Sequence, residues 1–144
     1  MNTLPQTDRT LLIRTDFSDT AAWLAVRAAI ATPNEDGFLA VVQVVDDLHY
    51  RDLTTGQVVA LVPARGHLVV IADATTLAAP DMQLLAVMPH EEDDEDEDAS
   101  ERDYDELRVT AAELWSIEAN ISTGNMGWEE FVDAADENGV FRGF

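Results

Sequence analysis

The chain has 144 residues, 47% of them hydrophobic, which predicts a single domain with one core over residues 1–144. It contains no cysteine and no lysine, and 29 Asp and Glu against 8 arginines give a formal net charge of −21. The absence of cysteine excludes disulfides, thiolate metal sites and cysteine nucleophiles. The acidic composition argues against binding to nucleic acid or to anionic lipid, because both need clusters of Lys and Arg.

The first residues lack the features of an export signal. The stretch MNTLPQTDRTLLIRT has neither the basic start nor the apolar core of a signal peptide. No window of the chain reaches the ~18 apolar residues that a membrane span needs. We therefore expect a cytoplasmic protein that makes no membrane contact.

The first predicted elements are a buried strand and an amphipathic helix. Residues 10–15 (TLLIRT) form a short apolar run that suits a buried strand. The spacing of apolar residues then changes to three and four, which predicts a helix over residues 19–31. The apolar face of this helix carries Trp23, Val26 and Ile30. Ser18 or Asp16 is expected to cap its N-terminus.

Three further apolar runs predict strands. Residues 38–45 (FLAVVQVV) are almost continuously apolar and rich in β-branched side chains, which predicts a central strand covered on both faces. Residues 67–72 (HLVVIA) and 84–88 (LLAVM) predict two more strands. Between these runs, residues 54–62 favour a short helix over a strand, and residues 74–79 predict one helical turn.

Residues 90–104 hold the densest charge of the chain, including eight consecutive acids. Such a run repels itself and offers nothing to a core, so we predict a mobile acidic loop within the domain. Acid-rich, lysine-free composition is also typical of GC-rich genomes and of a salty cytoplasm. The charge alone therefore does not require a function that depends on it.

The last third of the chain predicts an edge strand and two helices. Residues 106–110 suit the edge strand, and residues 111–121 suit a helix in which Thr110 and Glu113 form a capping box. A second helix is predicted over residues 128–135. Its inward side chains are expected to be Trp128, Phe131, Val132 and Ala135.

The order of these elements predicts an α/β fold. We expect a small, mainly parallel sheet of about five strands, with helices packed on it and two C-terminal helices. Crossovers between its parallel strands are expected to be right-handed.

Several predicted strands are followed directly by aspartate. The residues are Asp16, Asp46, Asp47 and Asp73. The carboxyl ends of strands line the usual ligand crevice of an open parallel sheet, and carboxylates there suit Mg²⁺. The alternative is that each aspartate starts a turn or caps a helix. Sites of this kind that transfer phosphate usually add a lysine, which this chain lacks, although Arg14 or Arg65 could substitute.

Two blocks of the sequence resemble a known family. They are residues 11–30 (LLIRTDFSDTAAWLAVRAAI) and residues 114–144 (LWSIEANISTGNMGWEEFVDAADENGVFRGF). Together they resemble an uncharacterised domain family of actinobacteria, a domain of unknown function. The resemblance implies a small cytoplasmic single-domain protein and supplies no activity, cofactor or catalytic residue.

Three functional hypotheses remain open. The sequence has no nucleophile elbow, no phosphate-binding glycine loop and no dinucleotide fingerprint, which favours a non-enzymatic protein-interaction module with an acidic surface and a basic protein partner. The alternative is a Mg²⁺-dependent enzyme or metal-binding domain that uses the aspartates after the strands. The third is a nucleic-acid mimic, which would need carboxylates fixed at phosphate-like spacing. The sequence does not indicate an oligomeric state.

Overall fold

The computed structural model describes residues 9–62, 67–89 and 104–143. Within these ranges the chain forms a six-stranded sheet with helices packed on both faces. The strands are β1 (Thr10–Arg14), β2 (Val42–Val45), β3 (Val69–Ala72), β4 (Gln83–Pro89), β5 (Tyr104–Thr110) and β6 (Val140–Phe141). The helices are α1 (Thr20–Ala31), α2 (Thr55–Leu61), α3 (Ala74–Ala78), α4 (Leu114–Ser122) and α5 (Trp128–Ala134), with 3₁₀ turns at Leu48–Tyr50 and Ala111–Glu113.

The sheet order is β2-β1-β3-β4-β5-β6, and the predicted α/β class is confirmed. Strand β1 pairs in parallel with β2 and β3, and β6 pairs in parallel with β5. Strand β4 runs antiparallel to its neighbours β3 and β5. The connection from β3 to β4, residues 73–82, is shorter than the dozen or so residues of a parallel crossover, which explains why β4 turns back.

Helix α1 buries the predicted apolar face, but its cap differs from the prediction. The buried residues are Trp23, Val26 and Ile30. The carboxylate of Asp19 accepts a hydrogen bond from the backbone N–H of Ala22 at 3.0 Å and so caps the helix. The predicted caps, Ser18 and Asp16, bond to each other instead, because Asp16 accepts the backbone N–H of Ser18.

The short helix predicted over residues 54–62 is present as α2. The Thr54 hydroxyl accepts the backbone N–H of Gln57 at 3.2 Å, and the Gln57 side chain accepts the backbone N–H of Thr54 at 2.8 Å. This reciprocal cap satisfies two free N–H groups and stabilises a helix of only seven residues. Val58 and Val59 pack on the sheet face opposite to α1.

The strand predicted to be central lies at an edge of the sheet. Only Val42–Val45 of residues 38–45 form a strand, and β2 is the first strand in the sheet order. The continuous apolarity of this run predicts burial on both faces, but three of the four side chains of β2 are only partly buried. Conversely, the strand predicted at an edge, residues 106–110, lies inside the sheet as part of β5, because the two-residue strand β6 adds beyond it.

The predicted helix over residues 111–121 begins with a 3₁₀ turn and continues as α4. The capping box predicted for Thr110 and Glu113 is wrong, since the Thr110 side chain makes no capping hydrogen bond. The acidic loop predicted at residues 90–104 lies outside the described residues, except that Tyr104 begins β5.

Helix α5 brings Phe131 into the core, where its ring packs edge to face against Phe141 with centroids 5.2 Å apart. Val132, predicted to face inward, is 44% exposed, because successive residues of a helix point in different directions and its neighbour Phe131 takes the inward position. Trp128 is only partly buried against the same core.

None of the helices in the described ranges combines the length and the apolarity that a membrane-spanning helix requires.

Candidate functional site

The carboxyl ends of β1 and β3 lie side by side. At this position the chain stops adding strands on one side of β1 and continues on the other side. From β1 the chain passes through α1 to β2, and from β2 it passes through α2 to β3 on the far side of β1. Since α1 and α2 pack on opposite faces, the two connections diverge here. Open α/β sheets bind ligands at such a point. All the aspartates predicted as metal ligands follow strands that end at this edge.

Asp46 follows β2 and forms an ion pair with the buried guanidinium of Arg14, while its own side chain is 37% exposed. Its Oδ1 lies 3.3 Å from Nη1 of Arg14, and its Oδ2 accepts a hydrogen bond from the indole Nε1 of Trp23 at 3.2 Å. Both carboxylate oxygens are therefore engaged by neighbouring side chains. This partly exposed carboxylate orients Trp23 and offsets the charge of the buried Arg14.

Arg14 is the last residue of β1 and is almost completely buried. Its Nε donates to the backbone carbonyl of Asp16 at 3.1 Å. The guanidinium lies 4.2 Å from the ring centroid of Phe17 and 5.2 Å from that of Trp23, distances typical of cation–π contacts. Its Nη2 is buried without a hydrogen-bond partner among the described residues. The aromatic rings thus cover the cation at the edge of the sheet.

Asp73 follows β3 and binds Arg108 of β5 through two parallel contacts. The Nη1–Oδ1 distance is 2.9 Å and the Nη2–Oδ2 distance is 2.8 Å. Asp73 also caps α3 by accepting the backbone N–H of Thr76 at 3.1 Å. Burial alone would raise the pKa of Asp73, but the hydrogen bonds and charge of Arg108, with those of Thr76, hold that pKa below its ordinary value.

Asp16 and Asp47 are engaged in local turns. Asp16 accepts the backbone N–H of Ser18 at 2.8 Å. Asp47 accepts the backbone N–H of His49 at 2.9 Å and lies 3.1 Å from its Nδ1. The hydrogen bond from the His49 backbone lowers the pKa of Asp47. Each aspartate therefore has the turn-forming contacts that the alternative interpretation predicted.

The predicted magnesium ligands lie on one edge but do not converge. Among residues 9–62, 67–89 and 104–143 there is no group of three or more His, Asp or Glu side chains that could hold a metal ion. In this arrangement the donors do not fit a magnesium site, because Mg²⁺ would have to displace Arg14 from Asp46 or Arg108 from Asp73. Magnesium binding stays a prediction that requires such a rearrangement.

A second feature, absent from the sequence analysis, is an exposed apolar surface that leads into β2. We call Phe38, Leu39 and Val41 the Phe38 surface; their side chains are 55%, 42% and 53% exposed. The ring of Phe38 stacks on Trp115 of α4, with centroids 5.4 Å apart and an angle of 12° between the planes. Ala40, which lies between Leu39 and Val41 in the chain, is buried in the core.

Specific hydrogen bonds hold the Phe38 surface in place. The backbone N–H of Val41 donates to the carboxylate of Glu118, a buried residue of α4. The side chain of Asn34 accepts the backbone N–H of Phe38 at 2.9 Å, and the backbone N–H of Asn34 donates to the carbonyl of Phe38 at 2.8 Å. The exposed side chains are thus presented by an ordered turn. In the sequence, the Phe38 surface is indicated by residues 38–45, which form an uncharged run bounded by acids.

A family model for a domain of unknown function (DUF6924) matches residues 9–144. The chain belongs to this family. The match covers every described element of this DUF6924 chain, and it confirms the resemblance to a domain family of unknown function. A search of curated proteins found no match.

Proposed function

We propose that this DUF6924 chain is a non-enzymatic protein-interaction module that binds a basic partner protein, in the cytoplasm that its composition favours. The observation that carries the proposal is the Phe38 surface. Three neighbouring large or branched apolar side chains remain about half exposed although the chain has a well-formed core beside them. Exposed apolar side chains that lie together mark sites of protein interaction more often than single ones do.

The contacts beneath this surface support a binding role. Trp115 stacks on Phe38, and Glu118 accepts the backbone N–H of Val41. Two residues of α4 therefore hold the segment that carries the exposed side chains of the Phe38 surface. A prepared surface loses less conformational entropy on binding than a flexible one. Aromatic side chains at the centre of such a surface commonly supply much of the binding free energy.

The charge of the chain supports a basic partner. With 29 acids and 8 arginines, the chain attracts positively charged proteins and repels further copies of itself. Complementary charge mainly accelerates encounter and selects the partner, whereas apolar contact at the Phe38 surface would supply the affinity. Binding is therefore expected to weaken, but not vanish, when salt is raised to physiological strength.

The engaged carboxylates support a module rather than an enzyme. Asp46 and Asp73 are each paired with an arginine, and both carboxylates also bond to neighbouring groups. Groups held in this way stabilise the sheet edge and are poorly placed to accept a substrate proton or a metal ion.

A comparison of variants tests the proposal. Immobilised wild type, Phe38→Ser and Leu24→Ser are exposed to the same native lysate at low salt. Leu24 is a matched control, since it is 56% exposed and lies on α1, outside the Phe38 surface. Basic proteins retained by wild type and by Leu24→Ser should be lost from Phe38→Ser. Equal retention by all three proteins would contradict the proposal.

A further inference from the structure

Strand β2 offers an open side for backbone pairing. Among the described residues it pairs only with β1, so half of its backbone N–H and C=O groups face away from the sheet. The Phe38 surface lies directly before this strand in the chain. The apolar surface and the open strand edge therefore form one continuous stretch over residues 38–45.

Apart from its length of four residues, this edge lacks the devices that usually protect an edge strand. Natural edges carry charged residues, prolines or bulges, or are very short. Residues 38–45 read FLAVVQVV and contain no charge and no proline, in a chain of which 26% of residues are charged. The β-branched residues of β2 favour the extended conformation that a further strand would require.

The opposite edge of the same sheet is protected. Strand β6 has only two residues, and Arg142 follows it directly. The guanidinium of Arg142 pairs with the carboxylates of Asp81 and Asp136, the latter at 2.7 Å. The difference between the two edges indicates that the exposure of β2 is a particular feature of that edge rather than a general property of the sheet.

The charges around β2 indicate what kind of segment could pair with its open side. The uncharged stretch is bounded by acids at both ends, namely Glu35 and Asp36 before it and Asp46 and Asp47 after it, of which Asp46 is already paired with Arg14. A second copy of the chain would bring another formal charge of −21 to this edge, which disfavours self-association. A segment with apolar residues in its centre and basic residues at its ends has the complementary pattern.

We infer that an extended, basic segment of the partner protein adds to the sheet as a strand along the open side of β2, with its apolar side chains on the Phe38 surface. This inference rests on the proposed function, because it specifies how the same surface binds. Main-chain hydrogen bonds supply affinity in such strand addition, and alternate side chains supply specificity.

A pair of synthetic peptides tests the inference on the full chain. The first has a central Val-Thr-Val-Thr-Val stretch with arginines at both ends. The second has the same sequence with every central backbone nitrogen methylated, which removes the N–H donors on both sides of the peptide strand and keeps charge and side chains. Calorimetry should show that the first peptide binds and that methylation weakens binding by about tenfold or more. Amide exchange should slow in Val42–Val45 and stay unchanged in Val140–Phe141.

The possible results separate the inference from the proposed function. Equal affinity for both peptides would overturn strand addition. It would not contradict the proposed function of an acidic protein-interaction module. Absence of binding by both peptides would also overturn the inference, while the lysate comparison would still decide the proposed function. Concentration-dependent dimerisation that protects Val42–Val45 and blocks the peptide would assign the edge to a second copy, and sedimentation velocity would reveal it.

Discussion

Glu118 on α4 accepts a hydrogen bond from the backbone N–H of Val41, so a buried carboxylate holds the segment that leads into β2. The second oxygen of Glu118 accepts the hydroxyl of Ser122 at 2.9 Å. This contact joins the C-terminal half of the chain to the first half of the sheet.

Replacing Glu118 by alanine should leave the N–H of Val41 without its acceptor. We expect a loss of about 1–3 kcal/mol in the free energy of unfolding, measured by urea denaturation. Glu118→Gln keeps an amide oxygen at the same place and should lose less than half as much. Amide exchange at Val41 should accelerate in the alanine variant alone. Similar stability and exchange in both variants would show that this hydrogen bond does not hold the segment.

The C-terminal aromatics should differ in their contribution to stability. Phe131 is completely buried against Phe141, so Phe131→Ala should cost about 3–5 kcal/mol. Trp128 is only partly buried, and Trp128→Ala should cost less. Val132→Ala is a surface control that should change the free energy of unfolding by at most about 0.5 kcal/mol. A Trp128 variant less stable than the Phe131 variant would contradict this order.

The ion pair between Asp73 and Arg108 should make stability depend on pH. Because the folded-state pKa of Asp73 lies below its ordinary value of 3.8, its contribution is present above that value and is lost as the pH falls through the lowered pKa. Asp73→Asn should therefore lower stability at neutral pH and flatten the decline in acid. Urea denaturation at several pH values measures both effects.

Arg108→Met, alone and combined with Asp73→Asn, is measured in the same way. If the pair acts as a unit, the double variant should lose less stability than the sum of the two single losses. The decline in acid that Asp73 causes should be absent from all three variants, because Asp73 is either replaced or no longer held at a lowered pKa by Arg108. A decline in acid as steep as that of wild type in every variant would assign the dependence to other carboxylates.

Magnesium should not bind at the carboxyl edge while the arginine pairs are in place. Calorimetry with millimolar MgCl₂ should give no saturable heat for wild type, and the melting temperature should match that in NaCl of equal ionic strength. A saturable heat that disappears in Asp46→Asn would instead establish the predicted site and would require Arg14 to leave Asp46.

The buried strands and α1 could be predicted from the sequence because their signals are local. The run TLLIRT is apolar throughout, and Trp23, Val26 and Ile30 repeat at helical spacing. These patterns were sufficient to assign the α/β class.

The position of strands within the sheet could not be predicted in the same way. An apolar run such as residues 38–45 indicates a strand, but its place at the edge depends on pairing between distant parts of the chain. Strand β6 has only two residues and shows no periodicity. The aspartates follow strands that end at the carboxyl edge, but the arginine partners of Asp46 and Asp73 could not be identified from the sequence. Arg108, for example, lies 35 residues away from Asp73 in the chain.

The most direct measurement is the affinity of the arginine-flanked peptide for wild type, Phe38→Ser and Leu24→Ser by calorimetry at two salt concentrations. If the Phe38 surface binds a basic partner, wild type and Leu24→Ser should have equal affinity, Phe38→Ser should bind about tenfold more weakly or worse, and all affinities should fall as salt rises. Equal affinity of the three proteins, or affinity that does not respond to salt, would contradict the account.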